Sequence, residues 1–167
     1  GTNLREFPLE VPGIADFSWS PDGRQVVFCA NERVMVQDAP RPESGIDSEK
    51  DLFIASCDGM DLRRVTKGVG MPMTPSWSPD GSKIAFSSAA TRGKISDIRV
   101  QVVNVDGTGL KMLTSRPGQS LCPKWIPDST KVLFYNQPPS TGTSTPQLIC
   151  VSLEGTGEAV VDVGKFG

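Results

Sequence analysis

Apolar residues come in short runs along this chain, four to seven residues long, and each run is cut off by Pro, Gly or Asp. "QVVFCA" (25–30), "LFIAS" (52–56), "KIAFSS" (83–88), "VQVVN" (100–104), "KVLFYN" (131–136) and "LICVS" (148–152) are rich in β-branched and aromatic residues. None is long enough for an amphipathic helix, and each is bounded by turn residues, which is the pattern of a β-strand. The runs are ordered as well as numerous. "ADFSWSPDGRQVVFCA" (15–30), "MTPSWSPDGSKIAFSS" (73–88) and "LCPKWIPDSTKVLFYN" (121–136) share one template: apolar segment, Trp, Pro-Asp turn, polar residue, strand ending near Phe. Downstream, "DLFIASCDGMDLRRVT" (51–66), "IRVQVVNVDGTGLKMLT" (98–114) and "PQLICVSLEGTGEAVV" (146–161) each read strand, Asp-Gly or Glu-Gly turn, strand.

One repeat unit is therefore four strands. The tryptophans stand at 19, 77 and 125, intervals of 58 and 48 residues. Four strands at a period of about 40–50 residues predict a β-propeller blade. The predicted fold class is all-β, with three four-stranded antiparallel blades over 14–67, 68–115 and 116–167. Residues 1–13 carry "LREFPLEVP", read as one strand completing a neighbouring blade.

The pentapeptide "WSPDG" (19–23 and 77–81) predicts the local geometry. Pro21 and Pro79 preset φ for the first central position of a type I turn. Gly23 and Gly81 supply the left-handed residue that closes a bulged hairpin. The third copy, "WIPDS" (125–129), has Ser129 there, so more strain or a different geometry is expected. Each Trp is expected to wedge between neighbouring blades. Ser20 and Ser78 read as turn residues, not nucleophiles.

The repeat W-S-P-D-G-(K/R/S)-x-(I/V)-(A/V)-F, followed by an x-D-G hairpin and L-x-x-(V/L)-T, resembles the blade of TolB-like, WD-like propellers and of the propellers in prolyl-oligopeptidase-type peptidases. The resemblance runs from about Ile14 to Val163 and implies half of a six-bladed ring. Known propellers have at least four blades, so three leave two blade faces uncovered. A homodimer closing six blades is expected, with a fragment of a longer propeller and an unusually packed monomer as rivals. The resemblance to TolB implies a periplasmic or extracytoplasmic protein that binds a protein or peptide.

Composition narrows the chemistry. The 167 residues have a net charge of −2, so no nucleic-acid partner is expected, and no apolar run is long enough for a membrane span. Gly1 in place of Met reads as an expression scar or a processed end, so a leader sequence is left open. The chain has no histidine, which removes Ser-His-Asp and Cys-His catalysis and His-based metal sites. It has no G-x-S-x-G elbow. Cys29, Cys57, Cys122 and Cys150 form no C-x-x-C pair and are expected as buried free thiols in apolar runs. "VDGTGLK" (105–111) lacks phosphate-loop spacing, and "CDGMD" (57–61) lacks the alternating ligands of a calcium loop. No cofactor is expected, and no enzyme activity in this chain.

Length variation points to one face. The second-to-third strand loops, about 31–50, 90–97 and 137–145, are long in every copy, and the other intra-blade turns are short. Loops on a rigid scaffold carry binding. The candidate binding residues are Arg33, Arg41, Arg92 and Lys94 on the loops, then Asp16 and Lys124 on channel-lining first strands. The function expected is a non-catalytic scaffold binding a protein or peptide. The alternatives are the gating propeller of a prolyl-oligopeptidase-type peptidase, or another enzyme whose catalytic domain lies elsewhere, or a structural segment of a larger surface protein.

Overall fold

In the computed structural model, residues 14–31, 50–58, 61–89, 97–139 and 145–161 are described. They form twelve strands: β1 (Ala15–Trp19), β2 (Gln25–Asn31), β3 (Lys50–Ser56), β4 (Leu62–Arg64), β5 (Met71–Trp77), β6 (Lys83–Ala89), β7 (Ile98–Asn104), β8 (Lys111–Met112), β9 (Gln119–Trp125), β10 (Lys131–Gln137), β11 (Gln147–Ser152) and β12 (Ala159–Val160). Within each group of four, neighbours in sequence pair antiparallel, β1-β2-β3-β4 and its two repeats. One parallel bridge, Ile98 to Gln119, joins the second group to the third. The innermost strands β1, β5 and β9 pack side by side. The strand proposed within 1–13 lies outside the described residues.

The hairpin turns form as the sequence dictates. In blade 1 the Gly23 N–H donates to Ser20 O and the Ser20 N–H to Gln25 O, both at 2.9 Å, with Gly23 at φ 69°. Ser20 Oγ donates to Asp22 Oδ1 at 2.6 Å and accepts the Gln25 N–H at 2.9 Å. Blade 2 repeats this with Ser78, Asp80 and Lys83. Ser20 and Ser78 are buried in these bonds. In blade 3, Ile126 replaces the serine, and Thr130 Oγ1 donates to Asp128 Oδ1 instead, at 2.6 Å. The turn keeps its geometry: Ser129 takes the glycine's left-handed conformation at φ 62°. Its hydroxyl accepts the Asp80 N–H of the preceding blade at 3.1 Å, so the strain is offset by a bond that glycine could not make.

The core lies between blades. Val27, Cys29, Leu52 and Ile54 of blade 1 pack against Trp77, Ile84, Phe86 and Val103 of blade 2. Ala85, Val100, Val102 and Leu113 of blade 2 meet Trp125, Val132, Phe134, Ile149 and Val151 of blade 3. A third cluster, Val26, Phe28, Ala30, Phe53 and Ala55, is buried on the far side of blade 1. The wedge expectation needs one correction. Trp77 is 7% exposed, and half-buried Trp125 donates from Nε1 to Ser76 O at 2.9 Å, but Trp19 is 54% exposed. Trp77 and Trp125 each rest on the blade before their own, and among the described residues no blade precedes the first.

The expectation for the cysteines also needs correcting. All four are free, but only Cys29 is buried; Cys57 sits in a turn and Cys122 is exposed. Burial, and then the charge of Asp16, pushes the Cys29 thiol up to about 12.

Candidate functional site

The site begins with a repeated irregularity. Pairing of the first strand with the second slips register at the same place in each blade: between Ala15 and Phe17, between Met73 and Ser76, and opposite Leu133 and Tyr135. The residues at the slip are Asp16, Thr74 and Cys122, all non-glycine and all left-handed, with φ of 51°, 48° and 54°. Such a conformation costs on the order of 1–2 kcal/mol for an L-residue. Three equivalent β-bulges thus re-aim one side chain per blade from the innermost strand. Sequence reasoning missed them. A signal was available in Pro75 and Pro123, two residues before the Trp, because proline inside a strand is tolerated at a bulge.

Topology puts the bulges on the loop face. Ala15 pairs with Cys29, Met73 with Ser87 and Leu121 with Tyr135, each partner close to the end of the blade's second strand, where the long connection departs. The spacing between elements holds: the second and third strands end and begin at 31 and 50, 89 and 98, 137 and 147. Arg33, Arg41, Arg92 and Lys94 lie outside the described residues. Asp16 and Lys124 are described, and both are exposed.

Asp16 is tied into the arc, since its Oδ2 accepts the Thr74 N–H at 3.0 Å. One strand turn further, Ser18 Oγ accepts the Trp77 N–H at 3.2 Å. The structure therefore joins Asp16 to blade 2, while Lys124 stands on the innermost strand of blade 3. The arc runs from a carboxylate through Thr74 to a thiol and an ammonium. Among the described residues the arc thus presents hydrogen-bonding groups and one charge of each sign. Among the described residues no group of three His, Cys, Asp or Glu could hold a metal ion.

Other polar groups belong to the scaffold. The turn aspartates Asp22, Asp80, Asp106 and Asp128 are held below the usual carboxylate range, first by side-chain hydroxyl donors: Ser20, Ser78, Thr108 and Thr130. Buried Asp51 pairs with Arg64 and accepts from Thr66 Oγ1 at 3.1 Å. Thr66 Oγ1 in turn accepts the Leu52 N–H at 2.9 Å, and Thr114 Oγ1 the Val100 N–H at 3.1 Å. These bonds explain the threonine of the L-x-x-(V/L)-T element: it clasps the third strand. Two shallow clefts, one lined by Asp22–Gln25 and Ser56–Asp58 and one by Arg63, Ser82, Lys83 and Asn104–Asp106, lie at equivalent turns of blades 1 and 2. They recur with the repeat, so they are features of the blade.

No family model matches the chain. A 98-residue stretch, 55% of this chain, is 29% identical to dipeptidyl-peptidase 5 of Porphyromonas gingivalis and spans 14% of that protein. A 43-residue stretch, 26% of this chain, is 42% identical to a TolB homologue of Chlorobium luteolum and spans 10% of it. Among solved structures, a TolB-type protein of Agrobacterium tumefaciens superposes with a TM-score of 0.68 at 21% identity, over 90% of this chain and 50% of that one. The chain spans half or less of the length of each. The fold is that of TolB-like β-propeller blades. No helix among the described residues is long and apolar enough to cross a membrane.

Proposed function

We propose that this chain is a non-catalytic propeller scaffold that binds a protein or peptide on the face where the long second-to-third strand connections leave the blades. The observation that carries this reading is the thrice-repeated left-handed bulge at Asp16, Thr74 and Cys122 on that same face. Strain repeated at equivalent sites is kept where it aims side chains. Asp16 and Lys124 supply opposite charges at the two ends of the arc, and Arg33, Arg41, Arg92 and Lys94 belong in sequence to the second-to-third strand connections, outside the described residues. The likeness to TolB proteins supports an extracytoplasmic setting for this role.

The test is binding to an arrayed peptide library. Wild-type protein is expected to retain a defined set of peptides. The Asp16→Ala/Lys124→Ala and Arg92→Ala/Lys94→Ala double variants are each expected to lose them while keeping the strand-type circular dichroism spectrum. An array with no retained peptide, or retention unchanged in both variants, contradicts the reading.

A second reading is favoured by the 98-residue likeness to dipeptidyl-peptidase 5: the blades would gate access to a peptidase domain. The gene on either side of this segment decides between the two. A neighbouring hydrolase segment with G-x-S-x-G favours the peptidase reading, because the nucleophile would be encoded there.

A further inference from the structure

We propose that the Cys122 N–H, with the Lys124 ammonium on the same strand, is a position for a ligand carboxylate. The inference rests on the peptide-binding reading above and names the group that such a peptide would present. The chain itself supplies the template. In the seam between blades 1 and 2, the bulge residue Thr74 has φ 48° and turns its N–H away from its own blade. The carboxylate of Asp16, on the innermost strand of the preceding blade, accepts that N–H through Oδ2 at 3.0 Å. A backbone N–H held outward by a left-handed kink suits an anion. A hydrogen bond to a carboxylate is about twice as strong as one between neutral groups.

The seam between blades 2 and 3 repeats the donor and omits the acceptor. Cys122 stands at the same register slip, with φ 54°. By the repeat, its N–H points back toward β5 as the Thr74 N–H points toward β1. The residue in the place of Asp16 is now Thr74. It carries no charge, and its Oγ1 is turned into its own blade, where it donates to Ser87 Oγ at 3.4 Å. No side chain among the described residues accepts the Cys122 N–H.

Access and charge agree with an anion at this place. Cys122 and Lys124 are both exposed. Lys124 is the one charged residue of β9, and it makes no ion pair among the described residues. Asp97, before the third strand of blade 2, is held by Arg99. The donor faces the preceding blade, so the arrangement is independent of whatever follows blade 3. A ligand carboxylate can come from a peptide C-terminus or from an Asp or Glu side chain. Both present the same two oxygens to an N–H and an ammonium.

The test is an amide NMR titration of the isotope-labelled 167-residue chain at constant ionic strength. N-acetyl-glycylglycine carries an α-carboxylate and N-acetyl-aspartate amide a side-chain one; N-acetyl-glycylglycine amide and N-acetyl-asparagine amide are the uncharged controls. Titration to about 100 mM covers the weak affinity of one such contact. The Cys122 amide proton is expected to move downfield with a carboxylate probe and to ignore the controls, and the tighter of the two carboxylates identifies the source. The Thr74 amide is expected to stay still in the wild type, because Asp16 fills its position, and to respond once Asp16→Ala empties it. Thr74→Asp puts a carboxylate where the second seam lacks one, so the Cys122 amide should lie downfield without a probe and respond to none. Lys124→Ala is expected to weaken the response about two- to fivefold. A Cys122 amide that ignores both carboxylates, or follows the controls equally, overturns the proposal. So does an undiminished response in Thr74→Asp with the strand-type circular dichroism spectrum retained. Peptides retained on the array beside a silent Cys122 amide leave the binding reading standing and this one refuted; an empty array beside a responding Cys122 does the reverse.

Discussion

Asp80 shows how much work one turn residue does. Its Oδ1 accepts from Ser78 Oγ at 2.6 Å and from the Ser82 N–H at 2.9 Å, and these donors hold its carboxyl below 3.8. A depressed folded-state pKa stabilises the fold fully above the unfolded value and loses that contribution as pH falls through the folded one. Asp22, Asp106 and Asp128 shift the same way. Stability is therefore expected to decline as pH falls below about 4, and Asp80→Asn is expected to blunt the decline in urea titrations run across that range. Cys29 acts at the other limit. Its thiol is raised to about 12 from 9.0, so its contribution is complete below 9.0 and fades as pH rises toward about 12. The Cys29→Ala variant should lose that alkaline arm in the same titrations. Ser129 carries a finer balance. Ser129→Gly relieves about 1 kcal/mol of left-handed strain and gives up the hydrogen bond from the Asp80 N–H, worth about as much. Thermal unfolding is expected to move by no more than a few degrees; a large rise would show that the hydroxyl bond is idle.

At the scale of the strand, most of the architecture was legible. The apolar runs placed the strands, the Pro-Asp-Gly signal placed the hairpins, and the repeated Trp set the phase of the blades. The bulges were not legible in the same way. Asp16, Thr74 and Cys122 share no residue type, and a left-handed residue inside a strand is imposed by how one innermost strand meets the next, not by its own preference. Entry into the innermost strands is equally constrained. A Cβ at Gly70 would lie 2.2 Å from Ala89 O, and one at Gly118 would lie 2.2 Å from Gln137 O, with φ at 86° and 101°. Both contacts are with backbone, which cannot swing away. Gly70→Ala and Gly118→Ala are each expected to cost about 2–4 kcal/mol, read from equilibrium denaturation. A cost under about 0.5 kcal/mol would mean these strand entries can shift.

For the molecule as a whole, the repeat predicts how blades stack, and the exposure pattern shows where stacking stops. The sequence could not distinguish Trp19 from Trp77, because their flanking residues are the same; only the presence of a preceding blade separates them. The loop residues first chosen as binding candidates are spread along the chain at 33, 41, 92 and 94, and nothing in sequence alone relates them to Asp16 or Lys124. The shared end of the blades does that for the described pair. The account stands on radial blades locked by the indoles of blades 2 and 3, Trp77 and Trp125, each resting on the blade before. Urea denaturation of Trp77→Ala tests that directly, since this ring joins Val27, Leu52 and Ile54 to Ile84 and Phe86. A loss of about 3–5 kcal/mol is predicted, with the seam between blades 1 and 2 left hollow. A loss below about 1 kcal/mol would mean the blades are held by something other than this wedge.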